Sequence, residues 1–384
     1  MNRNEKQLID AYGRRIDYLR ISLTDKCNLR CRYCMPKEGI SPLRHEEVLT
    51  LEEIHRVARL LTELGIRKIR ITGGEPLVRR NSMELIRRLS ELPEQPELVM
   101  TTNGVLLEEH LEELAKRGLR KINISLDTCD RDTYRELTGK DALDRVNAAI
   151  DRALSMGFLV KVNAVLVRGI NEKDAEALAG LAKDRNLTVR FIELMPMGCA
   201  GGLSGVPGDL LLQRLEGTYG EATPVSVELQ ESGEGKTAAG RTEESCGMKG
   251  TERTEVTGMP EETGDGSGKE NRKTISSEGS AEGTGNGPAR YVRFPGFRSP
   301  VGFINPLSHQ FCRDCNRIRL TVDGRLKLCL FYPDGLDLRE PLRSGCTDEE
   351  IKEMIRGIIL LKPERHEFVR GAAEEEKNMV QIGG

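Results

Sequence analysis

Hydrophobic and polar residues alternate along six short segments in the first half of the chain, and amphipathic stretches separate these segments. The period of two predicts β-strands at Asp17–Leu23, Lys68–Thr72, Leu98–Thr102, Lys121–Leu126, Leu159–Val165 and Thr188–Glu193. Between the first two, Leu51–Leu64 places its apolar residues on one face of a helix. Strands that alternate with helices predict a parallel α/β fold. Six such units are too few for a complete eight-stranded barrel, so we expect an incomplete (β/α)6 TIM-type barrel.

Each predicted strand has one apolar face and one polar face. Ile69 and Ile71 alternate with Lys68 and Arg70, and Arg190 is flanked by apolar residues in the same way. Parallel sheets usually have both faces covered, and a buried cation without a partner is very costly. We therefore expect the polar faces to point inward together and to line a cavity that holds water or an anionic ligand. An open sheet with one solvated face explains the alternation less well.

The composition changes between Leu229 and Ala289. This segment has no aromatic residue and contains 13 of the 40 glycines of the chain. Such a stretch cannot bury enough apolar surface to offset its chain entropy, so we expect a disordered insertion, and nothing in it resembles a binding motif. The predicted domains are thus a partial barrel at residues 1–228, the insertion at 229–289, and a C-terminal region at 290–384.

Charge and apolar run length exclude several functional classes. The net charge is −3 with 31% charged residues over 384 residues, so no global field calls for nucleic acid or a membrane as partner. The longest apolar runs, such as Ile358–Leu361, are far too short to span a bilayer. The first ten residues are polar and lack the apolar core of a signal peptide. These features predict a cytoplasmic protein.

Six of the ten cysteines form two triplets, one near each end of the chain. Cys27, Cys31 and Cys34 have the spacing C-x3-C-x2-C, and Cys312, Cys315 and Cys329 have the spacing C-x2-C-x13-C. Each triplet is one thiolate short of the four that fully ligate an iron–sulfur cubane, which leaves one iron open for chemistry. Disulfides are not expected in a cytoplasmic chain. Zinc remains an alternative for the second triplet, whose C-x2-C resembles a zinc knuckle.

A glycine-rich turn follows the second predicted strand, directly behind the first cysteine triplet. In Gly73-Gly74-Glu75-Pro76 the glycines allow a close approach of the backbone, and Glu75 offers an acceptor for an ammonium group. Barrel enzymes place their sites in the loops at the carboxyl ends of the strands, where both motifs fall. A turn of this kind alone is a modest signal, and its position behind three cysteines strengthens it.

The motifs together resemble a known enzyme family. CNLRCRYC followed by ITGGEP is similar to the radical S-adenosylmethionine superfamily. The wider set, which includes LRISLTDKCNLRCRYCMP, TTNG, INISLD, RFIELMPMG, FCRDCNRIRLTVDGRLKLCL and the terminal IGG, resembles its GTP 3′,8-cyclase family. This family catalyses the first step of molybdenum cofactor biosynthesis. The resemblance covers roughly residues 10–228 and 290–384, and the family pattern lacks the insertion.

The resemblance implies cofactors and site residues. Each cysteine triplet would hold a [4Fe-4S] cluster, the first binding S-adenosylmethionine and the second the guanine base. The expected contacts to S-adenosylmethionine are Tyr33, Gly74, Glu75, Ser125 and Met195. The expected GTP-binding residues are Arg20, Lys68, Arg70, Thr101, Lys161, Arg190, Arg317 and Arg319. Of these, Arg20, Arg317 and Arg319 are also expected to be catalytic, together with the terminal Gly383 and Gly384, which the family inserts near the substrate.

The implied reaction starts with one external electron, which cleaves S-adenosylmethionine to methionine and a 5′-deoxyadenosyl radical. That radical takes the 3′ hydrogen of GTP, the carbon radical attacks C8, and a further reduction gives 3′,8-cyclo-7,8-dihydro-GTP. The implied partners are a reductant of the flavodoxin or ferredoxin type and a downstream cyclic pyranopterin monophosphate synthase, and a homodimer is compatible with the resemblance. Two alternatives stay open, namely a peptide- or haem-modifying radical enzyme with an auxiliary cluster, and a zinc-binding scaffold without catalytic activity.

Overall fold

The computed structural model describes residues 7–225, 288–368 and 377–383. The strands of these residues are β1 Leu8–Ile9, β2 Arg15–Ile16, β3 Tyr18–Ser22, β4 Lys68–Thr72, β5 Glu97–Thr102, β6 Lys121–Ser125, β7 Leu159–Val165, β8 Leu187–Ile192, β9 Thr223–Pro224, β10 Arg290–Arg293, β11 Val301–Ile304, β12 Arg317–Leu320, β13 Arg325–Lys327 and β14 Gly335–Asp337. The helices are α1 Leu51–Glu63, α2 Ser82–Ser90, α3 Leu111–Lys116, α4 Arg131–Thr138, α5 Leu143–Ser155, α6 Ala175–Asp184, α7 Gly208–Tyr219, α8 Arg339–Arg343, α9 Asp348–Ile359 and α10 Met379–Ile382.

The strand and helix predictions are confirmed. β4 and β7 have the predicted bounds, β5 and β6 differ by one residue at one end, and β3 and β8 differ by one residue at each end. Helix α1 begins after Thr50, whose side chain accepts from the backbone of Glu53 while the carboxylate of Glu53 accepts from Thr50 N, a capping box. Its buried face includes Leu60 and Leu61, both without exposed surface, and packs in the core beneath the sheet.

Twelve of these strands form one sheet in the order β14-β13-β12-β3-β4-β5-β6-β7-β8-β11-β10-β9, and β1 and β2 pair with each other in a separate two-stranded sheet. The six predicted strands, β3 to β8, run parallel to one another, as the partial barrel requires. The C-terminal region then adds one parallel strand at each edge, because β12 pairs with β3 and β11 pairs with β8. The sequence pattern predicted this region only as an extension. It instead flanks the six strands on both sides.

The polar faces of the strands point inward, as predicted. Leu19 and Ile21 of β3 pack in the core under the helices, whereas Tyr18 and Arg20 lie on the other face. Across this face, Arg190 Nη2 of β8 donates to Asn123 Oδ1 of β6, two strands away, at 2.9 Å. Side chains of strands that are not neighbours therefore meet on the inner face.

The predicted insertion lies almost wholly outside the described residues. Contacts divide the chain into one unit made of Met1–Ser226 and Gly283–Gly384 and another made of Val227–Glu282. Strands β9 and β10, which precede and follow the segment, pair with each other in antiparallel fashion. None of the helices among the described residues combines the length and apolarity needed to cross a lipid bilayer.

Candidate active site

The first cysteine triplet lies in the loop that follows β3, and hydrogen bonds fix this loop on two sides. On one side, the backbone of Gly74 donates to Thr24 O at 2.6 Å and that of Glu75 donates to Lys26 O at 2.9 Å. On the other side, the backbone of Arg30 donates to Thr138 O, at the end of α4, at 2.8 Å. The loop thus lies between the glycine-rich turn after β4 and the helix α4.

Only glycine fits at position 74. A Cβ atom there would lie 2.3 Å from Lys26 O and 3.0 Å from Cγ2 of Val380 in the C-terminal tail. Glu75, the next residue, is fully buried, and its carboxylate accepts from Thr102 Oγ1 at 2.8 Å and from Asn103 N at 2.7 Å. Burial raises the pKa of Glu75 to about 7. The turn therefore packs tightly against the cysteine loop, with its carboxylate held by the chain itself.

The thiols of the first triplet lie close enough to influence one another. Burial is the main cause that raises the pKa of Cys31 well above its usual range, and Cys34 and Cys27 add to it. Burial also raises the pKa of Cys34 to about 12, with contributions from Cys27 and Cys199. All three thiols are free of disulfides. A bound metal deprotonates a coordinating thiol outright, so this buried set fits a cationic cluster that supplies the missing positive charge.

A single metal ion fits these cysteines less well than a cubane. Three thiolates on one Zn²⁺ would lie within about 4 Å of one another, given Zn–S bonds of about 2.3 Å. No three His, Cys, Asp or Glu side chains of the described residues converge in that way. A cubane offers several irons as separate attachment points, so its ligands can lie farther apart.

Two polar residues that the sequence analysis did not single out surround the first triplet. The hydroxyl of Tyr33 donates to Asp127 Oδ2 at 2.7 Å, and Oδ1 of the same buried carboxylate accepts from Val165 N at 2.8 Å. The side-chain amide of Asn103 lies 3.7 Å from the sulfur of Cys27. Asn103 lies in the motif TTNG and Asp127 in the motif INISLD, and these local motifs do not by themselves indicate the contacts to Cys27 and Tyr33. Ser125, which ends β6, is half-buried and faces the same polar side as Asn123.

The second triplet is assembled from two segments, the turn at Cys312–Asp314 and the loop after β13. Burial raises the pKa of Cys312, and the charges of Cys315 and Cys329 raise it further. Burial also acts to raise the pKa of Cys315, but Lys362 and Arg317 outweigh it and lower that pKa. The Lys362 ammonium is buried and donates to Arg317 O at 2.9 Å. This cationic surrounding stabilises thiolates, the form that ligates iron.

The eight predicted GTP-binding residues all lie on β-strands, on the inner face of the sheet. Arg319 of β12 pairs in register with Arg20 of β3, which pairs with Arg70 of β4. Arg70 Nη1 donates to Thr101 Oγ1 at 2.9 Å. Burial lowers the pKa of Lys161 to about 7, and Arg190 is the next cause. The inner face is therefore rich in buried positive charge, which suits a polyphosphate.

Two further GTP candidates, Lys68 and Arg190, also have partners within the chain. Lys68 Nζ forms an ion pair with Glu97 Oε2 at 2.6 Å. Arg190 donates from Nη2 to Asn123 Oδ1 at 2.9 Å and to Asn163 Oδ1 at 2.6 Å. Lys68 is thus partly neutralised before any ligand binds, whereas Arg190 is hydrogen-bonded to two amides and to the side chain of Tyr291.

The C-terminal tail lies between the two triplets. The backbone N–H of Val380 donates to the thiol of Cys34. Three residues further on, Gly383 O accepts from Arg319 Nη1 at 2.8 Å, and Cys329 and Cys315 influence the pKa of that arginine. Gly384 lies outside the described residues. The tail therefore contacts Cys34 of the first triplet and Arg319 near the second.

A small apolar cluster joins the tail to the second triplet. Met197, Phe331, Phe368 and Ile382 form its buried core, and Cys329 and Met195 pack against it. Met195, a predicted contact to S-adenosylmethionine, lies in the segment after β8. It packs against the same cluster as Ile382 of the tail. The structure thus brings residues from both ends of the chain to the carboxyl ends of the barrel strands.

Comparison with known proteins adds to this geometry. The family model described as Radical SAM superfamily matches residues 21–182, and the one described as Molybdenum Cofactor Synthesis C matches residues 266–368. These ranges contain the first and the second cysteine triplet, respectively.

Curated relatives match nearly the whole chain. A GTP 3′,8-cyclase of Clostridium perfringens (strain 13 / Type A) is 38% identical over 376 residues, which cover 98% of this chain and 99% of the relative. A GTP 3′,8-cyclase of Syntrophomonas wolfei subsp. wolfei is 39% identical over 98% of this chain and all of the relative. Among solved structures, SuiB of Streptococcus suis bound to a precursor peptide matches 53% of this chain and 45% of its own, at 21% identity and a TM-score of 0.44.

Proposed function

This chain belongs to the GTP 3′,8-cyclase family of radical S-adenosylmethionine enzymes, and we propose that it converts GTP into 3′,8-cyclo-7,8-dihydro-GTP as the first step of molybdenum cofactor biosynthesis. The family relation rests on about 38% identity over nearly the full chain. The observation that carries the residue assignments is the C-terminal tail. Its Val380 N–H donates to the Cys34 thiol of the first triplet, and its Gly383 O accepts from Arg319, whose pKa Cys329 and Cys315 of the second triplet influence.

The first triplet and its surroundings hold the radical-generating cofactors. Cys27, Cys31 and Cys34 would ligate one [4Fe-4S] cluster, and Tyr33 and Gly74 border its loop. When bound, this cluster and S-adenosylmethionine supply the 5′-deoxyadenosyl radical that removes the 3′ hydrogen of GTP. Asp127 holds the Tyr33 hydroxyl, and Asn103 approaches Cys27, so both fix the orientation of groups that contact the cofactors. Their role is positioning, on which catalysis by proximity depends.

The second triplet and the inner face hold the substrate. Cys312, Cys315 and Cys329 would ligate a second [4Fe-4S] cluster, which would supply a binding site for the guanine base. The arginine row of β12, β3 and β4 then faces the triphosphate, because guanidinium groups fork onto phosphate oxygens. Lys161 and Arg190 contribute further positive charge from β7 and β8. These strands keep base and phosphates at fixed distances from the first triplet.

The assignments of partners and location remain proposals of the same kind. A flavodoxin- or ferredoxin-type protein would supply the electrons, a downstream cyclic pyranopterin monophosphate synthase would consume the product, and a homodimer is compatible with these roles. The cytoplasm suits a chain whose described cysteines are all free thiols. The domain bounds 1–228, 229–289 and 290–384 are likewise proposals.

The test is anaerobic reconstitution followed by analysis of metal content and products. We expect about two cubanes of iron and sulfide per chain, and formation of 5′-deoxyadenosine and the cyclised nucleotide from S-adenosylmethionine, GTP and a reductant. Cys31→Ser should abolish 5′-deoxyadenosine, whereas Cys315→Ser should retain uncoupled cleavage without cyclised product. Cys346→Ser, which removes a thiol outside both triplets, is the matched control and should leave both products unchanged.

Different results would identify the alternatives. Tightly bound zinc in place of iron would contradict the enzyme assignment in favour of a zinc-binding scaffold. Cleavage of S-adenosylmethionine with GTP left intact would instead favour another radical enzyme with an auxiliary cluster. Identical behaviour of Cys31→Ser and Cys315→Ser would contradict the division of roles between the two clusters.

A further inference from the structure

Tyr18, the first residue of β3, lies at the centre of the cations on the inner face. We propose that Tyr18 is a positioning residue for the triphosphate of the substrate, because its ring and hydroxyl hold Lys68, Arg70 and Arg317 in place without neutralising them. This inference rests on the proposed function, since it takes a nucleoside triphosphate as the ligand of the inner face. Neither the motifs nor the comparisons assign a role to this residue.

Three cations surround the ring of Tyr18. Lys68 Nζ lies 5.5 Å from the ring centroid, Arg70 Cζ lies 5.7 Å from it, and Arg317 Cζ lies 6.0 Å from it. These distances are within the range in which an aromatic ring attracts a cation. The hydroxyl of Tyr18 also accepts a hydrogen bond from Arg70 Nε. Tyr18 itself is 5% exposed, so water weakens these contacts little.

The strand register explains why the three cations meet at this residue. Tyr18 pairs directly with Arg317 of β12 on one side and with Lys68 of β4 on the other. Since side chains alternate between the two faces of a strand, all three point to the inner face. The next inward row along the same strands is Arg319, Arg20 and Arg70. Tyr18 is therefore the single uncharged member of two adjacent rows of three.

An uncharged partner preserves the positive charge that a polyphosphate needs. A carboxylate at this position would pair with the cations and compete with the ligand, as Glu97 already does for Lys68. Within the described residues, the hydrogen-bond partners of Arg70 are hydroxyls, those of Tyr18 and Thr101. Arg317 Nε is buried without a hydrogen-bond partner, so it is available to an anionic ligand. Arg70 and Arg317 are thus ordered by Tyr18 without a carboxylate partner among the described residues, whereas Lys68 also pairs with Glu97.

A second tyrosine has the same arrangement near the other edge of the six strands. Tyr291 of β10 lies with its ring 5.8 Å from Lys161 Nζ, and its side chain is hydrogen-bonded to Arg190.

The ionisation state of Tyr18 agrees with its role as an uncharged partner. Burial raises its pKa, but Arg70, Arg20 and Lys68 outweigh this and lower it to about 8, so the hydroxyl is mainly protonated at neutral pH. A neutral hydroxyl leaves the net charge of the cations intact.

The experiment separates positioning of phosphate-binding cations from a packing role. The affinities for GTP and GMP are measured by equilibrium dialysis with the full-length, cluster-loaded wild type and its variants Tyr18→Phe and Tyr18→Leu. Tyr18→Phe keeps the ring and removes the acceptor for Arg70, so we expect GTP binding to weaken about fivefold. Tyr18→Leu also removes the ring, and we expect a loss of about thirtyfold or more. GMP, which has a single phosphate, should change less than about twofold in both variants.

Tyr219→Phe is the matched control, because its hydroxyl donates to Glu176 O on the outer helices and lies away from the inner face. It should leave both affinities unchanged. Equal losses for GTP and GMP in Tyr18→Phe, or no loss of GTP affinity, would overturn the inference even if Tyr18→Leu failed to fold. If the wild-type protein still cyclises GTP, either of these results overturns the role of Tyr18 and leaves the proposed function intact. A wild type that neither binds nor cyclises GTP would overturn both.

Discussion

At the scale of single residues, the candidate site is defined by positive charges that the fold keeps away from water. Burial lowers the pKa of Arg20 and of Arg319, the latter to about 10, and lowers that of Lys161 to about 7. Each of these shifts means that the charged form is disfavoured in the ligand-free protein. A bound triphosphate would favour the charged form of these side chains, because its negative charge lies close to them. The free protein is thus prepared for a polyanion.

Lys161 leads to a prediction about pH. In the free protein its pKa is about 7, lowered first by burial and then by Arg190, Lys68, Arg70 and Lys121, so above pH 7 the neutral amine dominates. Bound triphosphate favours the ammonium form, so binding takes up a proton at alkaline pH. Affinity for GTP should therefore fall as pH rises, by about tenfold between pH 7 and 8.5 relative to a variant without this group. Equilibrium dialysis across that pH range measures the slope.

Lys161→Arg is that variant, because arginine keeps its charge throughout this range. Tyr18 also titrates near pH 8, so both proteins carry Tyr18→Phe in this comparison. A slope that is the same with lysine and arginine at position 161 would contradict the assignment of Lys161 to the triphosphate.

At the scale of elements, the tail acts as a short segment held in place by its neighbours. Helix α10 has only four residues, too few for an isolated helix to be stable in water. Its start is capped locally, since Asn378 N donates to Gln381 Oε1 at 3.0 Å. Its path is then determined by contacts of Val380 with Cys34 and Gly74 and by the bond from Arg319 to Gly383 O. The position of the tail therefore depends on the assembled site.

Gly383→Ala is predicted to stop cyclisation. Gly383 has a φ of +73°, and a Cβ atom there would lie 3.1 Å from both Ser22 Cβ and Thr72 Cγ2 on the inner face. The added methyl group should displace the tail and the Arg319 contact, and a displacement of about 1 Å near reacting groups can reduce the rate by about a hundredfold. The cyclised product is quantified, while iron content and S-adenosylmethionine binding should be unchanged.

Gly345→Ala is the matched control for this variant. Gly345 has a φ of +85°, and nothing lies within 4 Å of the position that a Cβ atom would take, so alanine there carries the same backbone strain without a contact to the site. Its activity should be close to that of the wild type. If both variants lose activity equally, backbone strain and not the position of the tail is the cause.

At the scale of the whole molecule, the C-terminal region completes the site from both edges of the six-stranded core. Strand β11 extends the sheet beyond β8, and β12 extends it beyond β3, so Arg317 and Arg319 enter the inner face as members of the sheet itself. The segment between β11 and β12, residues 305–316, connects the two edges of the six-stranded core and contains Cys312 and Cys315. The buried carboxylate of Glu193 ties this link to the end of β8, because it accepts from Leu307 N and Ser308 N, each at 3.0 Å.

Deletion of Leu229–Ala289 is predicted to leave the enzyme active. β9 and β10 pair directly, and Val225 N donates to Tyr291 O at 3.0 Å, so the two chain ends already lie side by side. A linker of about four Gly and Ser residues can therefore close the gap as a hairpin loop, and long insertions cost little through loop closure. Cyclisation rate and melting temperature measure the outcome, and we expect the rate to stay within about threefold.

A second deletion variant with a linker about three times as long is the control for the joint itself. If the short linker strains β9 and β10, the longer one should restore activity. Loss of activity in both variants, with clusters loaded and the protein soluble, would show that the removed segment has a role in catalysis.

Local patterns along the chain specify the elements and the ligand sets. Alternation with a period of two assigned Lys68–Thr72 and Leu159–Val165 with their observed bounds, because the two faces of a strand meet different surroundings. Cysteine spacing identified both triplets, and the motifs of the resemblance identified the inward cations. Each of these features is specified by residues that are close together in the sequence.

How these parts meet is specified only by the assembled fold. Tyr18 lies between Arg317 and Lys68 because β12, from the far end of the chain, pairs with β3 in one particular register. Asp127 under Tyr33 and Val380 beside Cys34 are likewise contacts between distant segments. Such contacts depend on which strands pair and on how the loops close over the sheet, and no local pattern of hydrophobic and polar residues encodes either.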